Sequence, residues 1–463
     1  MRRSTMSEQA ALDKKAIRKE ILALIIPIIL ESIFVYLAGI VSASLVGHLS
    51  GLAVATQGLA NRITGLLNVV WGAVRIGSMV YYVNLIGEGK YGELKQGFKN
   101  ICTVTLGIAI GFVLILFLFP SQILSFFTED VELIASAKSY LHITLLALPL
   151  WVMTKMNSAM FNAMGDTKTP MYLQVLINVV NIALGYLLIF ILKWDFYGAA
   201  IATAVSQIAG GGVGIILLNR KEYFRQAGKT GWGISDKESI KETLLKSIPV
   251  GLEDGMWQIY AIIMTKFLLT YGTNAYAGFQ LATAAEEITE LPVIGFTVAA
   301  TTLAGRAKSQ KSGPLFREYF KQQLWMNGTI SALCTLAMIC LPYGFMSIVT
   351  NDPALKEVGA VYLMIMGAIL IPQNLQRTLT GTIYGGIGNT KATMIITVIG
   401  TWCIRIPMAA LATYVFKWPL WTLWMFVGAD QVARFLMMAF YVKRNKVLYC
   451  IENGTGEKKE DNN

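Results

Sequence analysis

Apolar runs of 18 or more residues recur along the whole chain, separated by short polar stretches. Each run is long enough to cross a hydrocarbon core about 30 Å thick as a helix. The pattern predicts twelve spans, at 21–46, 53–83, 98–119, 134–162, 170–192, 198–218, 244–270, 274–305, 320–345, 356–386, 393–416 and 419–442. Inside lipid the backbone must satisfy its own hydrogen bonds, so apolar segments this long and continuous read as α-helices rather than barrel strands. The pattern is least regular in the second span, where Asn61, Arg62 and Arg75 interrupt it. The expected fold class is an all-α polytopic membrane protein with twelve transmembrane helices.

The polar punctuation between spans occurs twice. Gly165-Asp166-Thr167-Lys168-Thr169-Pro170-Met171 returns as Gly388-Asn389-Thr390-Lys391-Ala392-Thr393-Met394, 223 residues on. Upstream, Pro120, Ser125, Thr128, Asp130 and Tyr140 find Pro342, Ser347, Thr350, Asp352 and Tyr362 at an offset of 222, and Pro149 finds Pro372 at 223. A long repeat in which each half has an even number of spans predicts two pseudo-symmetric six-helix lobes, related by an axis along the membrane normal and facing each other across a cavity. The expected divisions are a cytoplasmic N-terminal tail (1–20), an N-lobe (21–218), a cytoplasmic inter-lobe linker (219–243), a C-lobe (244–445) and a cytoplasmic C-terminal tail (446–463). The last part of that tail, from Ile451, is polar enough to be expected disordered. In the linker, Ser235-Asp236-Lys237-Glu238 has capping-box spacing and predicts a short surface helix leading into span seven. Gly165 and Gly388 stand where helices should end, at positions that favour a left-handed residue.

Composition agrees with a membrane protein: 55% of the residues are hydrophobic and 14% charged. The net charge of +11 could suggest nucleic acid, but its distribution does not. With the N-terminus inside, about 28 of the 39 Lys and Arg fall in the termini and even-numbered loops, and the opposite side keeps only Lys138, Lys193, Lys356 and Lys417. This positive-inside asymmetry predicts a multi-pass protein of the cell membrane with both termini in the cytoplasm, and no nucleic-acid partner. The first apolar segment is too long for a signal-peptide core and is expected to stay as span one. The five cysteines lack Cys-x-x-Cys spacing, which argues against a zinc site, and disulfides are not implied either. His48 and His142 are far apart, and no Gly-rich loop followed by Lys-Ser/Thr is present to cradle a nucleotide. The chain is expected not to be an enzyme and to need no cofactor; any transport would run on an ion gradient.

Ionisable side chains inside spans cost about 2.5–3.5 kcal/mol each on insertion scales, so each asks for a partner or a wet cavity. The predicted spans hold the acids Glu31, Glu253, Asp254, Glu286, Glu287, Glu290 and Asp430, and the bases Arg62, Arg75, Lys155, Lys266, Arg377, Arg405 and Arg434. Asp430 and Arg434 are four apart and should pair on one helix face. Five of the acids crowd into spans seven and eight. Glu253 follows Pro249 by four residues as Glu31 follows Pro27, and Glu286 and Glu290 share a face of span eight. Carboxylates clustered in low dielectric cannot all ionise, which equips them to bind protons or Na⁺. Glu253, Glu286, Glu290, Asp254 and Glu31 are therefore the candidate ion-coupling residues, with Na⁺ conceivable at Glu253 and Glu286; pairing with Lys266 or another base is the structural alternative.

Several segments resemble the multidrug and toxic compound extrusion (MATE) family over roughly residues 20–445. They are Pro27 and Val46-Gly47 in span one, Gly58-Leu59-Ala60-Asn61 in span two, Gly165-Asp166-Thr167-Lys168 before Pro170, Asn178 and Asn181 in span five, and Gly198-Ala199-Ala200-Ile201-Ala202-Thr203 in span six. In the second half they are Gly295-Phe296-Thr297-Val298-Ala299-Ala300 and Arg405-Ile406-Pro407. The resemblance implies cation-driven export of organic cations or metabolites by alternating access of two six-helix lobes. Two positions depart from the family pattern: Ser42 and Gly185 stand where many members carry aspartates. Glu253 and Glu286 stand where some bacterial members also have glutamate, so coupling is expected in the C-lobe.

The resulting expectation is a secondary active antiporter, acting as a monomer in the lipid bilayer. It would export amphipathic cationic drugs or metabolites in exchange for protons or Na⁺, from a cavity lined by Gln57, Asn61, Asn178, Gln280, Glu287 and Arg405 together with aromatics and methionines. The alternative is a lipid-linked saccharide flippase of the same superfamily, for which Arg62, Arg75, Lys155, Arg377 and Arg405 would supply positive charge.

Overall fold

The computed structural model describes residues 14–452 apart from 48, 50, 128, 223, 225–230 and 235. Most of the expected N-terminal tail, His48, Thr128, part of the linker with Ser235, and the last eleven residues of the C-terminal tail lie outside the described residues. Among the described residues the chain is helical throughout. In the first half these helices are α1 (Lys14–Gly47), α2 (Gly51–Gly87), α3 (Tyr91–Leu118), the short α4 (Pro120–Leu124), α5 (Val131–Leu146), α6 (Leu148–Ala163), α7 (Lys168–Tyr186) and α8 (Asp195–Asn219). In the second half they are α9 (Lys237–Thr270), α10 (Thr273–Glu290), α11 (Gly295–Ser309), α12 (Gly313–Cys340), α13 (Pro342–Val349), α14 (Pro353–Ile387), α15 (Thr390–Val398), α16 (Ile406–Ala410) and α17 (Trp421–Arg444). Wider π-helical turns follow α7 (Leu187–Ile191) and flank α16 (Ile399–Arg405 and Leu411–Val415).

Each of the twelve predicted spans lies on helix. Among the described residues ten helical stretches are long and apolar enough to cross a membrane, and α5 with α6, bent by 49°, makes an eleventh. The remaining predicted span lies in α9, which is 34 residues long but carries Glu253, Asp254 and Lys266. Charge, not length, sets it apart. The helix predicted to lead into span seven begins at Lys237 and continues into the span without a break as α9; Asp236 opens it, accepting from the backbone N–H of Glu238 at 2.9 Å and of Ser239 at 3.2 Å. Aspartate serves here because its side-chain oxygens reach two of the free amides that open a helix.

The chain forms two compact units, Leu30–Gly251 and Met1–Ile29 with Leu252–Asn463. Both borders fall inside a helix, two residues beyond Pro27 in α1 and two beyond Pro249 in α9. Proline removes one backbone hydrogen bond from its helix, so each border lies close to a weakened turn. The start of α1 is built into the second unit. Ile21 and Ile25 are buried among Phe296 and Leu303, Glu20 accepts from Tyr319 Oη at 2.7 Å and pairs with Arg306, and Arg18 Nε donates to Gln322 at 2.7 Å. The start of α9 is built into the first unit, where Asn100 Nδ2 donates to the Asp236 carbonyl at 3.2 Å and to Ser239 Oγ at 3.1 Å.

The repeated residues turn out to be devices for turning the chain. Pro120 and Pro342 open α4 and α13, and Asp130 and Asp352 cap α5 and α14. Gly165 (φ 77°) and Gly388 (φ 67°) end α6 and α14 in the left-handed region, which costs a glycine little. Asp166 then bonds the Thr169 amide at 3.1 Å and the Lys221 ammonium at 2.5 Å. Burial alone would raise this carboxyl, but those bonds more than offset it and hold it below its ordinary value. The halves differ in where they break. Leu146 and Leu148 are separated by a bend just before Pro149, whereas its repeat partner Pro372 sits inside an unbroken α14. Conversely α2 is continuous while its counterpart divides into α10 and α11 at a 3₁₀ turn, Leu291–Val293.

In the second unit α11 lies directly on α14. A Cβ at Gly381 or Gly385 would overlap the carbonyl oxygens of Thr297 and Thr301, one helical turn apart. Small residues four apart are a common way for helices in lipid to approach this closely. Gly385→Ala should therefore lower stability by about 1–3 kcal/mol. Gly111→Ala in α3, where a Cβ meets nothing within 4 Å, should be neutral or gain up to about 1 kcal/mol of helix propensity. Thermal unfolding of the purified variants checks this; equal midpoints would show that the α11–α14 contact is not tight.

Candidate functional site

The carboxylates of the second unit gather where α10 breaks. Helical spacing puts Glu286 and Glu290 one turn apart on one face, and α10 ends at Glu290, ahead of the 3₁₀ turn containing Pro292. Glu286 is 7% exposed. Tyr362 of α14 donates its hydroxyl to Glu286 Oε2 at 2.6 Å, and the rings of Phe279 and Trp424 stand edge-on to that phenol at 5.4 and 5.1 Å. Gln373 Nε2 donates to Glu290 Oε1 at 2.9 Å and to Glu286 Oε1 at 3.3 Å. Arg377, one turn further along α14, pairs with Glu290. Among the described residues no cation lies within ion-pair distance of Glu286; its hydrogen bonds come from neutral donors.

A second group lies between the π-helical turn Ile399–Arg405 and α17. Asp430, fully buried, accepts from Arg405 at 2.6 Å and from Arg434 at 2.8 Å. Gly400 makes this possible: a Cβ there would overlap Asp430 Oδ1 and crowd the Arg434 stem. The wider turn aims Arg405 inward, where it is 1% exposed and lies 5.3 Å from the Trp257 ring and 4.8 Å from the Tyr260 ring. π-Turns inside α-helices are often found where a side chain must be re-aimed at a site. The charge of Arg405 also acts on Glu286, and that of Arg434 on Glu253.

Beside Arg434 opens a cavity of about 250 Å³, walled by Glu253, Asp254, Trp257, Thr397, Thr401 and Trp402. Lys266 is exposed and forms no ion pair with Glu253. Among the described residues in the spans of this unit, Glu253, Asp254, Glu286, Glu290 and Asp430 are buried or half-buried, as are Arg377, Arg405 and Arg434, five acids to three bases. Among the described residues no group of three or more His, Cys, Asp or Glu is placed to hold a metal ion.

The first unit has a different polarity. Glu31 lies in the field of Arg75 and Lys155, so this group carries one acid to two bases. Ser42 Oγ accepts from Gln57 Nε2 at 2.9 Å, and Gln57 and Thr203 both bond the buried Tyr140 hydroxyl. Asn178 donates to the Phe34 carbonyl at 2.6 Å. Gly185 is buried within α7.

The family model MatE matches residues 27–187 and 249–411, once in each half of the repeat. The chain belongs to the MatE family. The probable multidrug resistance protein NorM of Thermotoga maritima is 29% identical to it over 90% of each chain. The multidrug export protein MepA of Staphylococcus aureus is 21% identical over 94% of this chain and 96% of its own. Among solved structures, the Vibrio cholerae MATE transporter VcmN in its bent form matches with a TM-score of 0.85 at 18% identity, covering 95% of this chain and 99% of that one. A Pyrococcus furiosus transporter of the MOP superfamily, described as having a binding pocket of reversed polarity, matches at 0.82 with 16% identity, covering 94% and 97%. The fold is that of a MATE transporter with twelve transmembrane helices, and membrane transport rather than enzymatic chemistry is the business of this family.

Of the residues singled out by sequence, the MatE fold brings Glu286 and Glu290 together and places Glu253 and Asp254 on one cavity. Glu31 belongs to the other unit. Arg405 is locked on Asp430 rather than offered to an open surface, while Asn61, Gln280 and Glu287 are exposed. Sequence reasoning missed Tyr362 and Gln373 as partners of Glu286. The signal was present: Tyr362 is the repeat partner of Tyr140, and each hydroxyl meets the polar residues of its own unit. Removing the carboxylate with Asp430→Asn would leave two buried guanidiniums uncompensated and should cost about 3–5 kcal/mol. Glu290→Gln, at a pair that is partly exposed, should cost about 1 kcal/mol or less. Thermal unfolding compares them; an Asp430→Asn midpoint no lower than that of Glu290→Gln would contradict the assigned role of Asp430.

Proposed function

We propose that this MATE-family transporter is an efflux antiporter that exports small amphipathic cations in exchange for protons, by alternating access. The observation that carries this reading is Glu286, a buried carboxylate held by a phenol and an amide without a cation beside it. A carboxylate buried in a hydrocarbon layer must be neutralised by a cation or a proton, and with no cation beside Glu286 the proton is the partner at hand. Both of its oxygens already accept from donors that would repel a metal cation, which favours H⁺ over Na⁺ there.

The Glu253 cavity suits the other half of the exchange. Its carboxylates, threonine hydroxyls and two indole rings offer a cation both charge and π-faces. At about 250 Å³ it holds a cationic head group or a hydrated ion, whereas whole drug-sized ligands need about 300–1,000 Å³. The cavity wall itself holds two carboxylates, Glu253 and Asp254, to one guanidinium, Arg434, a balance that favours a cation. An anionic pyrophosphate, which a saccharide-lipid flippase would carry, would meet repulsion here, so export of cations is the favoured reading. The names of NorM and MepA, both multidrug proteins, support it. The positive-inside distribution of Lys and Arg supports cytoplasmic termini.

Glu286→Gln and Glu253→Gln should each abolish proton-driven uptake of a cationic dye into inverted vesicles, with the proteins still folded and inserted. Tyr362→Phe should lower the rate by roughly tenfold, since it removes one hydrogen bond to a charged group. Undiminished uptake by Glu286→Gln would falsify proton coupling at α10, and uptake driven by a Na⁺ gradient alone would overturn the choice of proton.

A further inference from the structure

A second cavity in the same unit, about 370 Å³, opens between α12, α14 and α17. Its walls are built from helical pairs four residues apart: Phe320 and Leu324 on α12, Leu375 and Leu379 on α14, and Phe435 and Ala439 on α17. Each pair stacks along one helix face, so together they form a long apolar slot rather than a scattered patch. Polarity enters at one end alone, where Lys443 and Lys446 lie. Both lysines are exposed and neither forms an ion pair among the described residues. Lys446 takes a left-handed conformation (φ 48°), which ends α17 and folds the following turn back over the slot. That turn is anchored: Val447 is fully buried and Cys450 Sγ donates to the Gly386 carbonyl at 3.5 Å. Tyr449, beneath the Arg317 guanidinium at 4.9 Å, forms the last part of the wall.

We propose that this slot is a binding site for an anionic membrane phospholipid, with an acyl chain between the three helices and the phosphate on Lys443 and Lys446. The charge pattern selects this occupant. An apolar slot closed by two cations matches an amphiphile with an anionic head, and basic pockets between transmembrane helices are known to take anionic head groups. The residues that follow, Asn453-Gly454-Thr455-Gly456-Glu457-Lys458-Lys459-Glu460-Asp461-Asn462-Asn463, hold no large apolar side chain that could fill the slot instead. The carbonyl end of α17 disfavours an anion by itself, so head-group preference depends on the two lysines. The site is separate from the carboxylates of α9 and α10, and its occupancy can be read without transport.

Native mass spectrometry of the full-length protein, released from detergent with palmitoyl-oleoyl phosphatidylglycerol or phosphatidylcholine, tests this. Wild type should retain one phosphatidylglycerol in preference to phosphatidylcholine, and excess inorganic phosphate should not displace it. Lys443→Gln with Lys446→Gln should weaken phosphatidylglycerol roughly tenfold and leave phosphatidylcholine unchanged. Ala439→Trp, which fills the slot, should reduce retention of both lipids. Equal retention of the two lipids by wild type, or phosphatidylglycerol binding unaltered by the double substitution, overturns the proposal. Displacement by phosphate alone would reduce it to a simple anion contact. The lysines are exposed, so the double variant decides the matter even where Ala439→Trp fails to fold.

Discussion

A charge inside a hydrocarbon layer must be partnered, and in this chain that demand is met at Asp430. The side chain is fully buried and receives two guanidiniums, one from its own helix and one from the π-helical turn opposite. Removing those ions from water costs several kcal/mol each, repaid only where geometry is close and hydrogen bonds are made. Three local features serve that geometry: the absence of a side chain at Gly400, the wide turn Ile399–Arg405, and the inward aim of Arg405 between two aromatic rings. With two bases spent on one acid, the group keeps a positive excess. Arg434 also faces the cavity that Glu253 lines.

The two halves share a scaffold and divide its chemistry unequally. Helix caps and left-handed glycines recur at equivalent positions because they solve the same problem, ending a helix and starting the next within a few residues. The breaks do not recur. The first half spends its interruption between α5 and α6; the second spends it between α10 and α11, where Glu290 ends the helix. A helix end frees backbone groups and widens the space around it, which suits a cluster of acids better than an unbroken turn does. The first unit, by contrast, holds a single acid in its spans, in the field of two bases, and satisfies its remaining polar groups among amides and hydroxyls.

Local rules were the legible ones. Apolar run length located the helices, the repeat marked the turns, and a spacing of four residues identified both the Asp430–Arg434 pair and the shared face of Glu286 and Glu290. At the start of α9 it is Asp236 that bonds the free amides of Glu238 and Ser239, while Ser235 lies outside the described residues. Tyr362 and Gln373 were overlooked although Tyr362 belonged to the repeat, since nothing local distinguishes a phenol bonded to a carboxylate 76 residues away from one that merely packs.

The sequence by itself determined that this is a membrane protein of repeated helical halves with an acidic second half, because transfer free energy, helix period and repeat offset are properties of short windows. Tertiary structure alone decided that Arg405 would be bound to Asp430, that Glu286 would be left with neutral donors, and that α1 and α9 would each begin in one unit and end in the other. Those outcomes depend on which helix faces meet. Hydrocarbon is indifferent to one apolar face over another, so the choice falls to close packing and to the pairing of a few buried polar groups.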